Sequence, residues 1–441
     1  MTTFKASGGA GPRARTRAPG GSVPVARMAE MAVDGALPFR LTAFDGSSAG
    51  PAEAPLTISV DSPRALQYLL TAPGDLGMAR AYISGDLGLG GVHPADPYPM
   101  LAMMADELHL RRPSLSEIAA MARTVGLGGL KPPPPPPQEG PPRWQRVLHG
   151  LRHSRHRDSD SIHHHYDVSN TFYEYVLGPS MAYTCAVFPD ADASLETAQD
   201  NKFQLVFDKL ALRPGQQLLD VGCGWGSMVR HAARRGVRAI GVTLSQEQAE
   251  WGQRAIRDEG LQDLAEVRYQ DYRDVEDTAF DAISSIGLIE HVGVANYPSY
   301  FAFLQSRLRP GGLLLNHGIT RPDNNSTFRT EPFIDRYVFP DGELTGSGRI
   351  ISVMQDSGLE VRHSENLREH YALTLRGWCA NLQANWDACV AEVGEATAKV
   401  WGLYMAASRL SFERNQIQLH QVLAVRPGNR GQAGVPLRPW W

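Results

Sequence analysis

Apolar positions in the second half of the chain form short runs that alternate with stretches of helical spacing. Five of these runs predict strands, namely Gln217–Val221, Arg238–Leu244, Ala265–Tyr269, Phe280–Ile286 and one that starts at Leu313–Asn316. Helical spacing predicts three helices, over Ser227–Arg235, over Glu247–Glu259 and ending near Leu308. Strands that alternate with helices are typical of an α/β fold with a mostly parallel sheet covered on both faces. The region from Tyr371 to Phe412 is rich in helix formers and is expected to close this domain.

The first third of the chain contains shorter elements and no sharp chemical motif. Leu56–Val60 predicts a strand, Ser62 with Pro63 predicts a helix start, and Leu115–Val125 predicts another helix. We interpret residues 28–130 as a small accessory domain that follows a disordered tail, 1–27, rich in Gly, Pro and Thr. The remaining boundaries place a linker at 131–160, the larger α/β domain at 161–427 and a second tail at 428–441.

The linker opens with six prolines, Pro132 to Pro137. Proline locks φ and lacks a backbone donor, so this stretch is predicted to be stiff and extended. The segment 143–157 that follows carries apolar residues at helical spacing among five arginines. A basic amphipathic helix of this kind can lie on an anionic lipid surface. A solvated helix packed on its own domain is an equally good interpretation.

Composition narrows the class of protein further. The net charge of −4 over 441 residues supplies no global basic field, so a nucleic-acid partner is not expected. The four cysteines contain no CxxC pair, which argues against a disulfide framework and a structural zinc site. Adjacent histidines at 163–165 point in different directions on an extended segment, so no metal site is expected there. Because no apolar run approaches the roughly 20 residues of a membrane span and no signal peptide is found, a cytoplasmic protein is expected.

A glycine-rich turn, LLDVGCGWG, lies between the first strand and the first helix predicted for the larger domain. Gly222, Gly224 and Gly226 allow a tight turn and the close approach of a ligand beyond the carboxyl ends of the strands. The spacing is G-x-G-x-G followed by Ser227, which disfavours the dinucleotide fingerprint and NAD. Asp220 is placed to meet a cationic amine or to order the amides of the turn. A plain glycine turn of an α/β protein is the alternative.

Seven blocks, in order from about His165 to Val425, resemble the cyclopropane-fatty-acyl-phospholipid synthase family of S-adenosylmethionine-dependent methyltransferases. The blocks are HYDVSNTFYEYVLGPSMAYTCAVF, LLDVGCGWG, GVTLSQEQ, QDYRD, IEHVG, RPGGLLLNHGI and HYALTLRGWCANLQAN. The resemblance implies a Rossmann-like class I methyltransferase fold with a seven-stranded sheet, and S-adenosyl-L-methionine as the cofactor. The accessory domain and the linker resemble the long forms of this family more weakly.

The resemblance also assigns the residues that would hold the cofactor. They are Tyr183, Thr184, Asp220, Gly222, Cys223, Gly224, Gly226, Thr243, Leu244, Ser245, Gln248, Asp271, Tyr272 and Ile286. Thr243, Ser245 and Gln248 supply short polar groups at the end of the second strand, where the ribose hydroxyls would lie. Asp271 and Tyr272 would lie near the adenine, and the carboxylate of Asp271 can accept a hydrogen bond from its amine.

The substrate implied by the resemblance is a cis double bond in an unsaturated, oleoyl-type acyl chain of a phospholipid. An alkene is a weak nucleophile that must attack the sulfonium methyl group, and the attack leaves a carbocation on the neighbouring carbon. Such a site needs a dry apolar groove, groups that tolerate positive charge and a base for the final proton. Aromatic faces attract cations, with core packing as the alternative role. The aromatic candidates in the matched blocks are Tyr166, Phe172, Tyr173, Tyr183, Phe188, Tyr371 and Trp378.

In this family a bound bicarbonate is expected to take the proton, and the matching positions here are Cys185, Glu290, His317, Ile319 and Tyr371. The structural alternatives are a small buried Cys185, an ion pair between Glu290 and His291, and a His317 hydrogen-bonded in the core. Backbone N–H groups, a hydroxyl and an imidazole can hold an anion, and Glu290 can orient the imidazole or share a proton. Relatives often carry a cysteine where this chain has Ser408, which argues against a covalent cysteine mechanism here.

The carbocation can be converted into two different products. Proton loss from the new methyl group with ring closure gives a cyclopropane, whereas a hydride shift followed by proton loss gives an exocyclic methylene. The strings GCGWGSMVRHAA and LLNHGITRPD resemble the actinobacterial branch of the tuberculostearic acid pathway, which makes 10-methylene acyl chains and uses a separate reductase to finish the product. The hypothesis therefore favours a 10-methylene product, made at the inner face of the membrane by a peripheral enzyme. The family also suggests a homodimer.

Two other classes of function stay open at this point. A class I methyltransferase that acts on a small nucleophile would need neither an acyl groove nor an anion site. A lipid-binding protein with a degenerate methyltransferase fold would lack catalysis, and the intact glycine turn with Glu290 and His317 argues against it.

Overall fold

The computed structural model describes residues 23–111, 114–129, 131–142, 168–325, 332–340 and 342–441. Three features of the sequence analysis lie outside these residues: the basic helix at 143–157, the histidines at 163–165 and Tyr166. Most of the expected N-terminal tail also lies outside them, although the helix Val25–Met31 begins within its last residues.

The N-terminal part contains a four-stranded sheet with the order β2-β1-β3-β4. Its strands are β1 (Arg40–Ala43), β2 (Ser48–Ala49), β3 (Thr57–Val60) and β4 (Leu87–Gly90). The further helices of this part are Pro63–Thr71, Asp75–Ile83, Tyr98–Glu107 and Leu115–Gly129. The predicted strand and both predicted helices are confirmed. The first of these helices begins where expected because the hydroxyl of Ser62 caps it, accepting from Arg64 N at 3.1 Å.

The larger part is built around a seven-stranded sheet with the order β10-β11-β9-β8-β5-β6-β7. Its strands are β5 (Gln217–Val221), β6 (Arg238–Thr243), β7 (Ala265–Tyr269), β8 (Phe280–Ile286), β9 (Leu308–Thr320), β10 (Glu360–Asn366) and β11 (Gln418–Val425). Strands β5 to β9 pair in parallel, and β11 runs antiparallel to both of its neighbours, β9 and β10. The mostly parallel sheet and its five predicted strands are confirmed, whereas the sequence pattern did not locate β10 and β11.

Helices cover both faces of this sheet, as predicted. Leu218 packs among residues of Leu195–Lys209 and Ser227–Ala233, and the next residue, Leu219, packs against Tyr297–Arg307 on the opposite face. An unbroken apolar run is typical of such a doubly covered parallel strand. The remaining helices of this part are Asn170–Leu177, Gln246–Asp258, Ile289–Val292, Pro332–Tyr337, Ser347–Asp356, Arg368–Ala384, Trp386–Val393 and Glu395–Glu413.

The long helix Glu395–Glu413 joins the two parts of the protein. A Cβ atom added to Gly402 would approach Pro94 O to 2.2 Å, so glycine permits the close packing of the N-terminal part on this helix. Two turns further along the same side, the guanidinium of Arg409 lies 3.7 Å from the centre of the Tyr98 ring. Apolar side chains from both parts belong to one continuous buried cluster.

Residues 131–142 of the predicted linker form neither helix nor strand, but they pack between the two parts. The hydroxyl of Tyr68 donates to Pro134 O at 2.7 Å. The side chain of Glu139 is fully buried and pairs with Arg80, at 2.6 Å, and with Arg336 of the helix Pro332–Tyr337. Glu139 therefore ties the N-terminal part to that helix.

The C-terminal residues, predicted as a tail, pack against the larger part although they contain no helix or strand. Trp440 Nε1 donates to Asp208 O at 2.7 Å, and the rings of Trp441 and His363 meet edge to face with centroids 5.0 Å apart. Within the described ranges, no helix combines the length and the apolar character that crossing a bilayer requires.

Replacing Glu139 by Ala tests the two ion pairs that this residue forms with Arg80 and Arg336. The change leaves Arg80 and Arg336 partly buried without their carboxylate, and we expect the free energy of unfolding in urea to fall by about 3 kcal/mol. Glu30→Ala is the matched control because it removes an exposed pair with Arg27, where we expect a loss of less than about 1 kcal/mol. Equal losses for the two variants would show that Glu139 does not hold the two parts together.

Candidate active site

The glycine turn after β5 has the backbone conformation that its sequence predicts. Gly222, Gly224 and Gly226 have φ values of +74°, +55° and +75°, a region that residues with a Cβ atom rarely adopt. A Cβ atom added to Gly226 would lie 2.8 Å from a methyl group of Val267, whereas one added to Gly224 would meet no atom within 4 Å. The backbone at Gly224 is therefore open to the approach of a ligand, as a cofactor site at this turn requires.

Asp220 lies beside the turn but does not order its first amides. Gly222 N and Cys223 N both donate to Val242 O at 3.0 Å, so that part of the expectation is wrong. The Asp220 carboxylate instead accepts from the hydroxyl of Ser284 at 2.6 Å. Asp220 is buried, and its burial raises the pKa to about 6, against the opposing effects of Ser284 and of the nearby Lys202.

The polar groups expected near the ribose cluster at the end of β6. Ser245 caps the helix Gln246–Asp258 by accepting from Gln248 N at 3.2 Å, and the hydroxyl of Thr243 donates to Gln248 Oε1 at 2.9 Å. All three side chains are buried, and the half-buried Leu244 lies between them in the chain. The amide nitrogen of Gln248 has no hydrogen-bond partner among the described residues, so it is available as a donor.

The loop after β7 carries Asp271 and Tyr272, the residues expected near the adenine. Both carboxylate oxygens of Asp271 accept from Arg273, at 2.8 Å from its Nε and 2.6 Å from its Nη2. The ring of Tyr272 meets that of Tyr300 edge to face, with centroids 5.4 Å apart. Ile286, the last residue of β8, is buried, and β8 is separated from β7 in the sheet by β5 and β6. An amine that bonds to Asp271 would share this carboxylate with Arg273.

A cavity of about 410 Å³ lies beyond the carboxyl ends of β8 and β9. One wall of the cavity is formed by the helix Glu395–Glu413, on the side opposite to Gly402 and Arg409. The helix residues in this wall, which recur at helical spacing, are Tyr404, Ala407, Ser408, Ser411 and Phe412. The other lining residues come mainly from loops at the sheet end and from the helix Arg368–Ala384, and they include Tyr183, Gly287, Glu290, His291, Ile319, Ile334, Phe339, Leu344, Tyr371 and Leu375. The volume falls in the range of roughly 300–1,000 Å³ that is typical of ligand pockets.

The cavity and the glycine turn meet at two consecutive residues. Gly287 lines the cavity, and a Cβ atom there would lie 2.8 Å from the methyl group of Thr184. The side chain of the next residue, Leu288, lies 3.2 Å from the position that a Cβ atom of Gly222 would take. Leu288 and the adjoining contact of Gly287 with Thr184 therefore lie where the turn approaches the cavity wall.

Glu290 is one of two acidic residues that line the cavity in the described part of the chain, the other being Asp323. Glu290 is 8% exposed, and its Oε1 accepts from the backbone N–H of Ile319 at 2.6 Å. Its Oε2 has no hydrogen-bond partner among the described residues. Burial raises the pKa of Glu290 to about 7, although the bond from Ile319 opposes this shift. A carboxyl with such a pKa can exchange a proton near neutral pH.

His317 lies on β9 two residues before Ile319, so both side chains lie on the same face of the sheet. It is 1% exposed and is not part of the cavity lining. Its Nδ1 is 3.2 Å from Gln421 Nε2, while its Nε2 has no partner within the described part of the chain. Among the described residues, His317 Nε2 and Glu290 Oε2 each have no hydrogen-bond partner, and the N–H of Ile319 is engaged by Glu290.

Cys185 and Tyr371, the other two residues of the expected anion site, have different environments. Cys185 is fully buried away from the cavity lining, and its thiol lies 3.1 Å from Ala186 O. Burial raises the pKa of this thiol far above its ordinary value, so the side chain is neutral. Tyr371 lines the cavity, and its ring packs on Phe412 with centroids 4.5 Å apart.

Of the aromatic candidates, Tyr183 and Tyr371 line the cavity. Trp378 is fully buried behind them, with its ring centroid 5.3 Å from that of Tyr183. The remaining described candidates, Phe172, Tyr173 and Phe188, are buried outside the cavity lining, in agreement with the alternative role of core packing.

The comparisons with known proteins agree with this geometry. Residues 153–422 match the sequence profile of the mycolic acid cyclopropane synthetase family. The chain belongs to this family. The family inferred from the seven sequence blocks is confirmed, and the protein is an S-adenosylmethionine-dependent methyltransferase of the cyclopropane fatty acyl synthase family.

Two curated relatives and one solved structure define its position in the family. A probable fatty acid methyltransferase of Mycobacterium tuberculosis is 62% identical, over 92% of this chain and 95% of that protein. The tuberculostearic acid methyltransferase of the same species is 32% identical, over 89% of this chain and 88% of its own length. A mycolic acid cyclopropane synthase complexed with SAH and CTAB is 31% identical, and its structure matches 60% of this chain and 97% of its own with a TM-score of 0.57.

The sequence analysis missed several members of this methyltransferase's site, among them Gly287, Tyr404 and the buried Lys202. Lys202 Nζ donates to the hydroxyl of Thr184 at 2.9 Å, and burial lowers its pKa to about 7. A signal was present in the helix Leu195–Lys209, where polar residues occupy the buried apolar stripe at Gln199, Lys202 and Lys209. Polar side chains at such positions need internal partners, which indicates a role beyond packing.

The raised pKa of Glu290 makes the stability of this methyltransferase depend on pH. Folding favours the neutral, protonated form of the Glu290 carboxyl. The contribution of this group to the free energy of unfolding is therefore complete below about pH 4.5 and is lost as the pH rises through about 7. We expect Glu290→Gln to become more stable relative to the wild type by about 3 kcal/mol over this interval. Urea unfolding at a series of pH values measures the difference, with Glu30→Gln as an exposed control. A difference that does not change with pH would show that Glu290 titrates normally.

Proposed function

We propose that this methyltransferase adds a one-carbon unit to the cis double bond of an oleoyl-type acyl chain of a phospholipid. The observation that carries the proposal is the largely apolar cavity, whose wall at Gly287 is next in the chain to Leu288, the residue that packs against Gly222 of the glycine turn. An acyl chain in this cavity would bring its double bond next to a methyl donor held on the turn. The relatives named fatty acid and tuberculostearic acid methyltransferases support an acyl substrate. So does the related cyclopropane synthase complexed with CTAB, a surfactant with one long alkyl chain.

The residues at the strand ends would hold the cofactor. When bound, S-adenosyl-L-methionine supplies an activated methyl group on a sulfonium sulfur. The open backbone at Gly224 permits close contact, and Gln248 offers a free amide donor at the end of β6. Asp220 lies beside the turn as a carboxylate able to attract a cationic group. Thr184, held by Lys202, separates the turn from the cavity.

The cavity wall suits a substrate that becomes cationic. The alkene would use its electron pair to bond to the methyl carbon while the bond from that carbon to the sulfonium sulfur breaks and its electron pair stays on the sulfur. The neighbouring carbon of the acyl chain would then carry the positive charge. The rings of Tyr183 and Tyr371 line the cavity and can stabilise this charge through their faces. The same apolar lining keeps water, which would capture the cation, away from it.

The proton lost from the substrate needs an acceptor in a dry site, and burial brings the pKa of the lining residue Glu290 to about 7. A bicarbonate ion, if held between Glu290 and His317, would supply a mobile base that can carry the proton away. Glu290 Oε2 and His317 Nε2 are free to bond to it. Tyr371 lines the cavity beside this region, and the buried neutral thiol of Cys185 would have no covalent role.

We favour a 10-methylene product over a cyclopropane. The support is the relation to the tuberculostearic acid methyltransferase, which covers most of both chains, together with the strings GCGWGSMVRHAA and LLNHGITRPD. The methylene product would require a partner reductase to become a methyl branch. We also propose that the enzyme reaches its substrate as a peripheral protein on the anionic inner face of the membrane, and that it forms a homodimer.

Incubation with labelled S-adenosylmethionine and vesicles of a dioleoyl phospholipid tests the proposal directly. We expect label in the acyl chains and an exocyclic methylene signal in the NMR spectrum of the product. Since the cyclopropane and the methylene isomers have equal mass, fragmentation or NMR must tell them apart. A cyclopropane signal would overturn the product assignment alone. Label that stays outside the lipid fraction would overturn the acyl substrate and favour a small nucleophile.

Two variants test the proton-acceptor region in the same assay. We expect Glu290→Gln and His317→Ala to lose at least about 99% of turnover, because general acid–base groups contribute roughly 10²–10⁴-fold to rates. Both variants should still bind S-adenosylmethionine in calorimetry, since neither residue lies on the glycine turn. Turnover near the wild-type rate in both variants would rule out this region as the place where the proton leaves.

A further inference from the structure

A chain of polar side chains connects His317 to the protein surface through the buried interior. Glu365 on β10 is partly exposed and pairs with Lys209 Nζ, whose side chain is fully buried. Lys209 Nζ also donates to Gln421 Oε1 at 2.7 Å, and Gln421 Nε2 lies 3.2 Å from His317 Nδ1. Gln421 and His317 lie directly opposite each other in the antiparallel pairing of β11 with β9. This chain is distinct from the contacts of the cavity and of the glycine turn.

The chemistry of Lys209 decides which way the amide of Gln421 points. An ammonium group can only donate hydrogen bonds, so the atom of Gln421 that faces it must be the carbonyl oxygen. The amide nitrogen of Gln421 then faces His317 and has only N–H donors to offer. His317 Nδ1 must therefore be an unprotonated acceptor, and the proton of the neutral imidazole must be on Nε2.

We propose that Gln421, oriented by Lys209, is a positioning residue that fixes His317 as its Nε2–H tautomer. His317 then acts as a hydrogen-bond donor toward an acceptor bound in the site, and it does not serve as the base that removes the substrate proton. The catalytic consequence rests on the proposed function, whereas the tautomer itself does not. His317 Nε2 is buried without a hydrogen-bond partner among the described residues, as expected of a donor reserved for a ligand.

The charges around His317 also favour the neutral form of its imidazole. Lys202 and Lys209, both on the helix Leu195–Lys209, disfavour a third positive charge. Burial, the larger cause, combines with these two cations to lower the pKa of His317 well below its ordinary value. Glu365 is the carboxylate of the chain, and it pairs with Lys209 rather than with the imidazole. A neutral donor in this position can hold an anion without competing for the substrate proton.

The imidazole ¹⁵N spectrum of the protein labelled in histidine measures the tautomer without any substrate. The protein has 14 histidines, and the difference from the spectrum of His317→Asn identifies the signals of His317. We expect an unprotonated Nδ1 and a protonated Nε2 in the wild type. In Gln421→Glu, the new carboxylate accepts from Nδ1, so we expect Nδ1 to become protonated. His420, whose Nδ1 lies 2.7 Å from the hydroxyl of Thr320, is the internal reference and should not change.

Lys209 supplies a rescue test. Lys209→Met removes the donor that orients Gln421 and should give mixed tautomers, whereas Lys209→Arg keeps a donor and should retain the Nε2–H form. With dioleoyl phospholipid vesicles, Gln421→Glu and Lys209→Met should lower kcat by about tenfold or more, as expected for residues that orient an imidazole. The affinity for S-adenosylmethionine should not change. Gln253→Glu, the same chemical change at an exposed position, should keep the kcat of the wild type.

The possible outcomes separate this proposal from the proposed function. A protonated Nδ1 in the wild-type protein, or a Gln421→Glu spectrum identical to the wild type, would overturn the assignment of the tautomer. A switched tautomer with unchanged kcat would overturn its role in turnover. If no acyl product forms at all while the tautomer is as expected, only the proposed function fails. Should Gln421→Glu fail to fold, the wild-type spectrum and the two Lys209 variants decide the question.

Discussion

Exclusion of water from the carboxyl end of the sheet is the constraint on which the rest of the site depends. Asp220, Lys202, Glu290 and His317 are all buried in this region. Burial penalises the charged form of each group, so it raises the pKa of the two acids and lowers the pKa of the two bases. The region consequently holds groups that change charge near neutral pH or stay neutral. Such an environment suits a reaction in which the substrate, and not the protein, carries the developing positive charge.

The dry cavity depends on elements that are distant in the chain. The helix Glu395–Glu413 lines the cavity with one side and packs against the N-terminal part with the other. The helix Pro332–Tyr337, which contributes Ile334 to the lining, is held by Glu139 of the linker. The N-terminal part therefore supports two walls of the cavity. The described side chains of the N-terminal part are themselves not among the lining residues.

The two buried lysines of the helix Leu195–Lys209 are hydrogen-bonded to other buried or partly buried polar groups. Lys202 bonds to Thr184, and Lys209 bonds to Gln421 and Glu365. Each bond offsets part of the cost of removing an amine from water. Because a buried donor requires an acceptor, these bonds also fix the orientation of their partners. Residues outside the cavity thus determine how those near it present their protons.

The sequence by itself determined the α/β fold and five of the seven strands of the large sheet, because apolar periodicity and glycine spacing are local properties. It determined the family through the resemblance of seven ordered blocks. The positive φ values at Gly222, Gly224 and Gly226 followed from the same local pattern. The residue-by-residue resemblance selected Glu290, Ile319 and Tyr371, and the structure places all three on one cavity. The resemblance also selected Cys185, and it did not show that this residue belongs to the packed interior and not to the cavity lining.

Only the tertiary structure decided which polar groups meet. Gln421 is 104 residues from His317 in the chain, and Lys209 is 212 residues from Gln421. The helical spacing in Leu195–Lys209 contains a signal, missed in the sequence analysis, that Lys209 is buried, but it contains no information about the partner of this lysine. The antiparallel strand β11, which carries Gln421, was itself not located from its pattern. The orientation of an imidazole proton depends on contacts that form only when the chain has closed, so no local pattern can encode it.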